Sequence, residues 1–113
     1  MTDPDVGVAI ANAIARIHRE HYGRGPASSR AVMDRDHIAV FLEDGYTPME
    51  RTLISAGKFN TVRGARHEFQ LVLRAEFTEA VEEITGRKVR AFMSEVHHDP
   101  DVSVEIFLLH RDD

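Results

Sequence analysis

The sequence contains no cysteine and no tryptophan. The first absence excludes disulfides, thiolate metal centres and cysteine nucleophiles. No apolar run approaches the roughly 20 residues of a membrane-spanning helix. The opening stretch from Met1 to Val6 is acidic, unlike a signal peptide. Together these features predict a cytoplasmic protein. Also missing are Gly-x-Ser-x-Gly, the phosphate loop Gly-x-x-x-x-Gly-Lys, the dinucleotide fingerprint and His-Glu-x-x-His. A broad basic face is absent too, since the net charge is −5, which disfavours nucleic acid as a partner. Lysine is scarce: 12 of the 14 basic residues are arginine, the side chain suited to planar pairing with carboxylate or phosphate.

What remains describes one ordinary globular domain. The chain has 113 residues, 42% of them hydrophobic and 29% charged. That length predicts a single domain over residues 1–113, with frayed tails at 1–5 and 110–113, and about two-thirds of its surface can be buried on folding. Charge is not evenly spread. Residues 1–35 sum to +1, residues 36–60 to −2, residues 61–90 to +1 and residues 91–113 to −5. The acidity thus lies in the last segment and marks a face for a partner.

Periodicity predicts the elements. Val6, Ile10, Ala13, Ile14 and Ile17 recur at helical spacing over residues 5–22, and Gly23, Gly25 and Pro26 stop that helix. Two strands follow at 30–34 and 37–43, joined at Arg35-Asp36. Thr47-Pro48-Met49-Glu50 reads as a capping box that opens a short helix ending near Gly57. A longer helix runs from a cap at Asn60 to about Thr85, with Val62, Ala65, Phe69, Leu73, Phe77, Ala80 and Ile84 as its stripe. Gly86 ends it. Strands at 88–96 and 102–109 close the chain. The last has Val102, Val104, Ile106 and Leu108 alternating with Ser103 and Glu105, and then Phe107 and Leu109. Such a strand is either central or covered by another subunit. The order α-β-β-α-α-β-β predicts an α+β fold: a four-stranded, mainly antiparallel sheet with helices on one face. Its open face predicts a homodimer.

Several groups could carry chemistry. Gly23-Arg24-Gly25-Pro26 could present converging amides and a guanidinium to an anion, with Arg16, Arg19 and Arg30 nearby; the plainer reading is a helix stop. Glu76 falls inside the apolar stripe when Phe69 sets its origin. A buried carboxylate there would be a proton or cation handler. Arg63, Arg66 and Arg74 precede Glu76, Glu79, Glu82 and Glu83 on the same helix, against the macrodipole, which suggests a polarised surface; Arg87 can pair back with Glu83 and is a partner-binding candidate. His97, His98, Asp99 and Asp101 offer metal ligands without a recognised spacing, so they read first as a polar loop. His18 and His21 could share a ligand. No metal and no cofactor is expected.

Four strings carry a family resemblance: His21-Tyr-Gly-Arg-Gly-Pro26, Glu43-Asp-Gly-Tyr-Thr-Pro-Met-Glu-Arg-Thr-Leu53, Glu76-Phe-Thr-Glu-Ala-Val-Glu-Glu-Ile84 and Ile84 through Leu108 with its Val-His-His-Asp-Pro-Asp-Val core. Together, from about residue 6 to 109, they resemble the MpsC-like family of small prokaryotic proteins. The resemblance implies an accessory role beside a sodium-translocating, membrane-potential-generating system, and no catalytic residues. The expected function is therefore a non-enzymatic module, peripheral to a membrane ion or inorganic-carbon transport system. The alternatives are a regulator that binds an anion, nucleotide or nucleic acid through the Gly23–Pro26 loop, and an enzyme built on Glu76 and the histidines.

Overall fold

The computed structural model describes residues 4–111. Helix α1 spans Pro4–Tyr22, strands β1 and β2 span Ser28–Asp34 and His37–Glu43, and helices α2 and α3 span Pro48–Ser55 and Phe59–Thr85. Strands β3 (Val89–His97) and β4 (Val102–Leu109) complete the chain. The fold is the expected α+β arrangement, with all strand pairs antiparallel in the order β1-β2-β4-β3. Of the expected tails, residues 1–3 and 112–113 lie outside the described residues; residues 4–5 begin α1, and the His110 amide donates to Lys88 O at 2.9 Å.

Local chemistry explains the boundaries. Glycine takes the left-handed conformation after α1 and α3, at Gly23 (φ 84°) and Gly86 (φ 70°), where a side chain would be strained. Arg35 turns the first hairpin at φ 54° without a glycine. Thr47 and Glu50 form the capping box: Thr47 Oγ1 accepts from the Glu50 amide, and Glu50 Oε1 accepts from the Thr47 amide. Helix α3 begins two residues sooner than a cap at Asn60 implies. Lys58 is its N-cap and gives no side-chain bond.

The core lies between one sheet face and the helices. Ile10, Ile14 and Ile17 of α1, Leu73, Phe77 and Val81 of α3, and Ile38, Val40, Leu42, Phe107 and Leu109 of the sheet form it. Burying such side chains contributes about 1.5–3 kcal/mol each. The stripe on α3 is rotated from the expected one. Ala65 is exposed and Phe69 half-buried, whereas Arg66 and Gln70 are buried. Glu76 therefore sits outside the stripe, with its side chain 46% exposed. The reason is geometric: Phe77, not Phe69, points to the centre of the sheet. Arg66, expected on a polarised surface, is only 3% exposed.

Strand β4 is central, as its two apolar faces allow. Its core face carries Glu105, Phe107 and Leu109; Val102, Val104, Ile106 and Leu108 point to the side without helices. The acidic end of the chain is thereby partly internalised, because Glu105 is 0% exposed.

Candidate functional site

The helical side carries a buried polar assembly that opens onto a groove. Its centre is Arg66, on the first half of α3. The guanidinium donates from Nε and Nη2 to the two carboxylate oxygens of Glu50, at 2.7 and 2.6 Å, and from Nη2 to Gly45 O at 3.0 Å. It lies 4.1 Å from the Tyr22 ring centroid and 5.1 Å from that of Tyr46. Planar, permanently charged and stacked, this is a site that lysine could not fill. Glu50 is shared: the same carboxylate caps α2 and holds Arg66.

Electrostatics follow from that sharing. Burial opposes ionisation of Glu50, but the Arg66 hydrogen bonds and the Thr47 amide outweigh it and hold the carboxyl below its usual value. Burial also pushes the Tyr46 phenol up to about 12, helped by the Asp101 charge. Tyr22 is raised as well, mainly by burial. Both phenols therefore stay protonated at physiological pH. Tyr46 Oη donates to His97 O at 2.8 Å, and its amide donates to Asp101 Oδ2 at 3.2 Å.

A second string runs inward. Gln70 Nε2 donates to Tyr22 Oη at 3.0 Å and lies 3.4 Å from His18 Nε2. His18 Nδ1 donates to Ile14 O at 3.0 Å, and its Nε2 is 3.5 Å from Glu105 Oε1. Neither Glu105 oxygen accepts a hydrogen bond among the described residues. Glu50, Arg66, Gln70, His18 and Glu105 were not singled out as a site by sequence reasoning. Within the assembly their side chains pair across 16 or more residues, and single-sequence spacing cannot pair them. The usable signal was Glu105, a charge in a strand whose neighbours are apolar on both faces.

The groove beside Arg66 has a volume of about 750 Å³. Pro48, Met49, Ala65, Phe69 and Val72 are among the residues that form its walls, above Tyr22 and Arg66. Met49 is 71% and Val72 75% exposed. The arrangement can hold an apolar segment on a floor that is rigid and polar.

The residues expected from the sequence are distributed around this assembly. Arg24 donates to Tyr46 O at 2.6 Å and lies 4.0 Å from Asp44, so it helps support the Tyr46 loop. Gly23 ends α1, and a Cβ at Gly25 would lie 3.4 Å from the Arg19 side chain. Pro26 sits against Gly45. His21 Nε2 meets Glu76 Oε1 at 3.0 Å at the rim of the groove. With Glu20 these donors lie within 4.8 Å of one another, on exposed side chains. His18 points into the core instead, so the two histidines do not share a ligand. Arg87 is distant from all of these; it ties Asp36 (2.6 Å) and the carbonyls of Arg35 and His110 into the far end of the sheet.

Three of the four loop residues have structural contacts. His97 Nδ1 donates to Pro100 O at 2.9 Å, the His98 ring packs at a tilt against Phe59 with centroids 4.6 Å apart, and Asp101 holds the Tyr46 amide. Among the described residues, Asp99 joins no group of three close metal-ligating donors, and neither do His97, His98 and Asp101.

An antiparallel sheet covered on one face by α1 and α3, with α2 docked on α3, a buried arginine clamp and an apolar groove, defines a small α+β protein. Residues 4–111 match the family model described as "Na+-translocating membrane potential-generating system (MpsC)", and the chain belongs to that family. No curated protein and no solved structure is significantly similar to it. No helix among the described residues is long and apolar enough to cross a membrane.

Proposed function

We propose that the protein is a non-enzymatic accessory or regulatory module, a cytoplasmic homodimer that attends a membrane ion or inorganic-carbon transport system from its periphery. The observation that carries this reading is the groove. Met49 and Val72 stand largely exposed across a floor fixed by Arg66 and Glu50, and exposed apolar walls on a rigid support suit an apolar segment of a partner protein. The family description supplies the kind of system that partner belongs to. Arg24 is engaged with Tyr46 and Asp44, which weighs against an anion site in the Gly23–Pro26 loop. Glu76 is half exposed and paired with His21, so it lacks the burial that an acid-base role was expected to use.

The test places a benzophenone amino acid at position 72 in native-host cells. Cross-linking to a membrane-embedded subunit of the system, abolished by Met49→Glu, supports the reading. A deletion strain complemented with Val72→Glu should then show the depolarised membrane of the uncomplemented strain. Full restoration by Val72→Glu, or cross-links confined to proteins outside the membrane system, overturns it.

A further inference from the structure

The sheet face opposite the helices has no cover among the described residues, and it is organised in rows. Strand register aligns Arg30, Phe41, Val104 and Glu95 across the four strands. The next row is Val32, Ala39, Ile106 and Met93, and the next is Asp34, His37, Leu108 and Ala91. Val32 is 51%, Phe41 42% and Met93 49% exposed. Antiparallel sheets with one solvated face ordinarily make that face polar. Here the central strand contributes Val102, Val104, Ile106 and Leu108 to it, while the charges stand at the edges.

We infer that this face packs against the same face of a second copy, about a two-fold axis parallel to the strands. The inference rests on the homodimer reading above and specifies its surface and register. Such an axis sets β1 of one protomer over β3 of its partner, row for row. Val32 then meets the partner's Met93, and Ala39 meets the partner's Ile106. Phe41 meets the partner's Val104, and Arg30 meets the partner's Glu95. Arg30 has no ion pair within the described residues, and Glu95 is half exposed where it bonds Arg63 at the sheet edge. The pairing is self-complementary, as an isologous interface requires. A two-fold perpendicular to the strands would instead set Arg30 against Val32 and Glu95 against Met93, leaving both charges opposite apolar groups.

Size is consistent with this occupant. Four strands about 4.8 Å apart and four rows about 7 Å apart give a footprint of about 500 Å² per protomer. The pair buries about 1,000 Å², the lower end for a specific interface. Anionic lipid is a poorer match, since Asp34, Glu43 and Glu95 outnumber Arg30 among the charges on this face.

The experiment is sedimentation velocity of the full chain over about 1–300 μM, the range suited to an interface of this area. The wild type should reach twice 12.8 kDa. Phe41→Glu, checked for native circular dichroism, should weaken association about 100-fold by burying an unpaired charge. A second readout exploits the absence of cysteine. Val32→Cys/Met93→Cys should give a covalent dimer with a short bismaleimide matched to the roughly 10 Å spacing of packed sheets. Within one protomer the two positions lie three strands apart, so a dimer-sized band reports contact between protomers. A wild type that is monomeric throughout overturns the homodimer reading itself. A wild-type dimer that Phe41→Glu leaves intact, without the Val32–Met93 cross-link, overturns this surface while the homodimer stands.

Discussion

Replacing Glu105 by leucine should stabilise the protein. Glu105 is fully buried, and neither of its oxygens accepts a hydrogen bond among the described residues. Among the described residues, its neighbour at salt-bridge distance is the His18 imidazole, at 3.5 Å. Desolvating a carboxylate costs several kcal/mol, and a single loose contact offsets only part of that. Removing one member of a buried pair usually leaves a stranded charge, but His18 has an alternative. In its neutral form Nδ1–H still donates to Ile14 O, and Nε2 can accept from Gln70 Nε2. Leucine would also join Val40 and Phe107 in the surrounding core. The expected gain is about 1–4 kcal/mol, the range seen when buried ion pairs give way to apolar packing. In urea that is a rise in midpoint of about 1 M for each 1–3 kcal/mol, at an unchanged slope. The assay is equilibrium unfolding at neutral pH, followed by circular dichroism. A loss of about 2 kcal/mol or more, with the slope unchanged, would refute the reasoning. It would mean that Glu105 belongs to a satisfied network.

The Arg66 clamp should behave oppositely. Glu50→Leu strands a guanidinium that cannot deprotonate, and should cost about 3–5 kcal/mol in the same urea assay; adding Arg66→Met should recover most of the loss. Because the Glu50 carboxyl is held below its usual 4.5, its contribution is fully present above that pH and is lost as pH falls through the lower folded value. Acid titration of stability should therefore be shallower in Glu50→Gln than in the wild type. Thr47→Ala removes one half of the capping box and should lower stability by about 1 kcal/mol, read as a drop in thermal midpoint. Arg63→Ala should leave the urea midpoint nearly unchanged, since its pair with Glu95 is exposed on both sides.

Features with local causes were legible in the sequence. The capping box spans four residues and needs only Thr47 and Glu50; the glycine stops at Gly23 and Gly86 need one residue each. The bounds of β2 and β4 follow from alternation over seven or eight positions. Facing was harder. The apolar stripe of α3 suggests an orientation set by Phe69, but Phe77 fixes its contact with the sheet, and that rotation carries Glu76 outward and Arg66 inward. No periodic rule buries an arginine, because the residue that permits it, Glu50, lies on another helix. The apolar faces of β4 allow either a central strand or one covered by another subunit; pairing with β2, where Ile38, Val40 and Leu42 point inward, makes it central and decides which face meets the helices.

The double duty of Glu50 ties together events that are usually separable. An eight-residue helix is too short to persist alone, and the carboxylate that starts α2 is gripped by a side chain of α3. Fraying α2 from its first turn therefore also uncovers Arg66 and loosens the rings stacked on it. Slow amide exchange in α2 should thus be set by the docking of α3 rather than by its own propensity. Release of one short helix would be felt at the groove floor as a single cooperative opening.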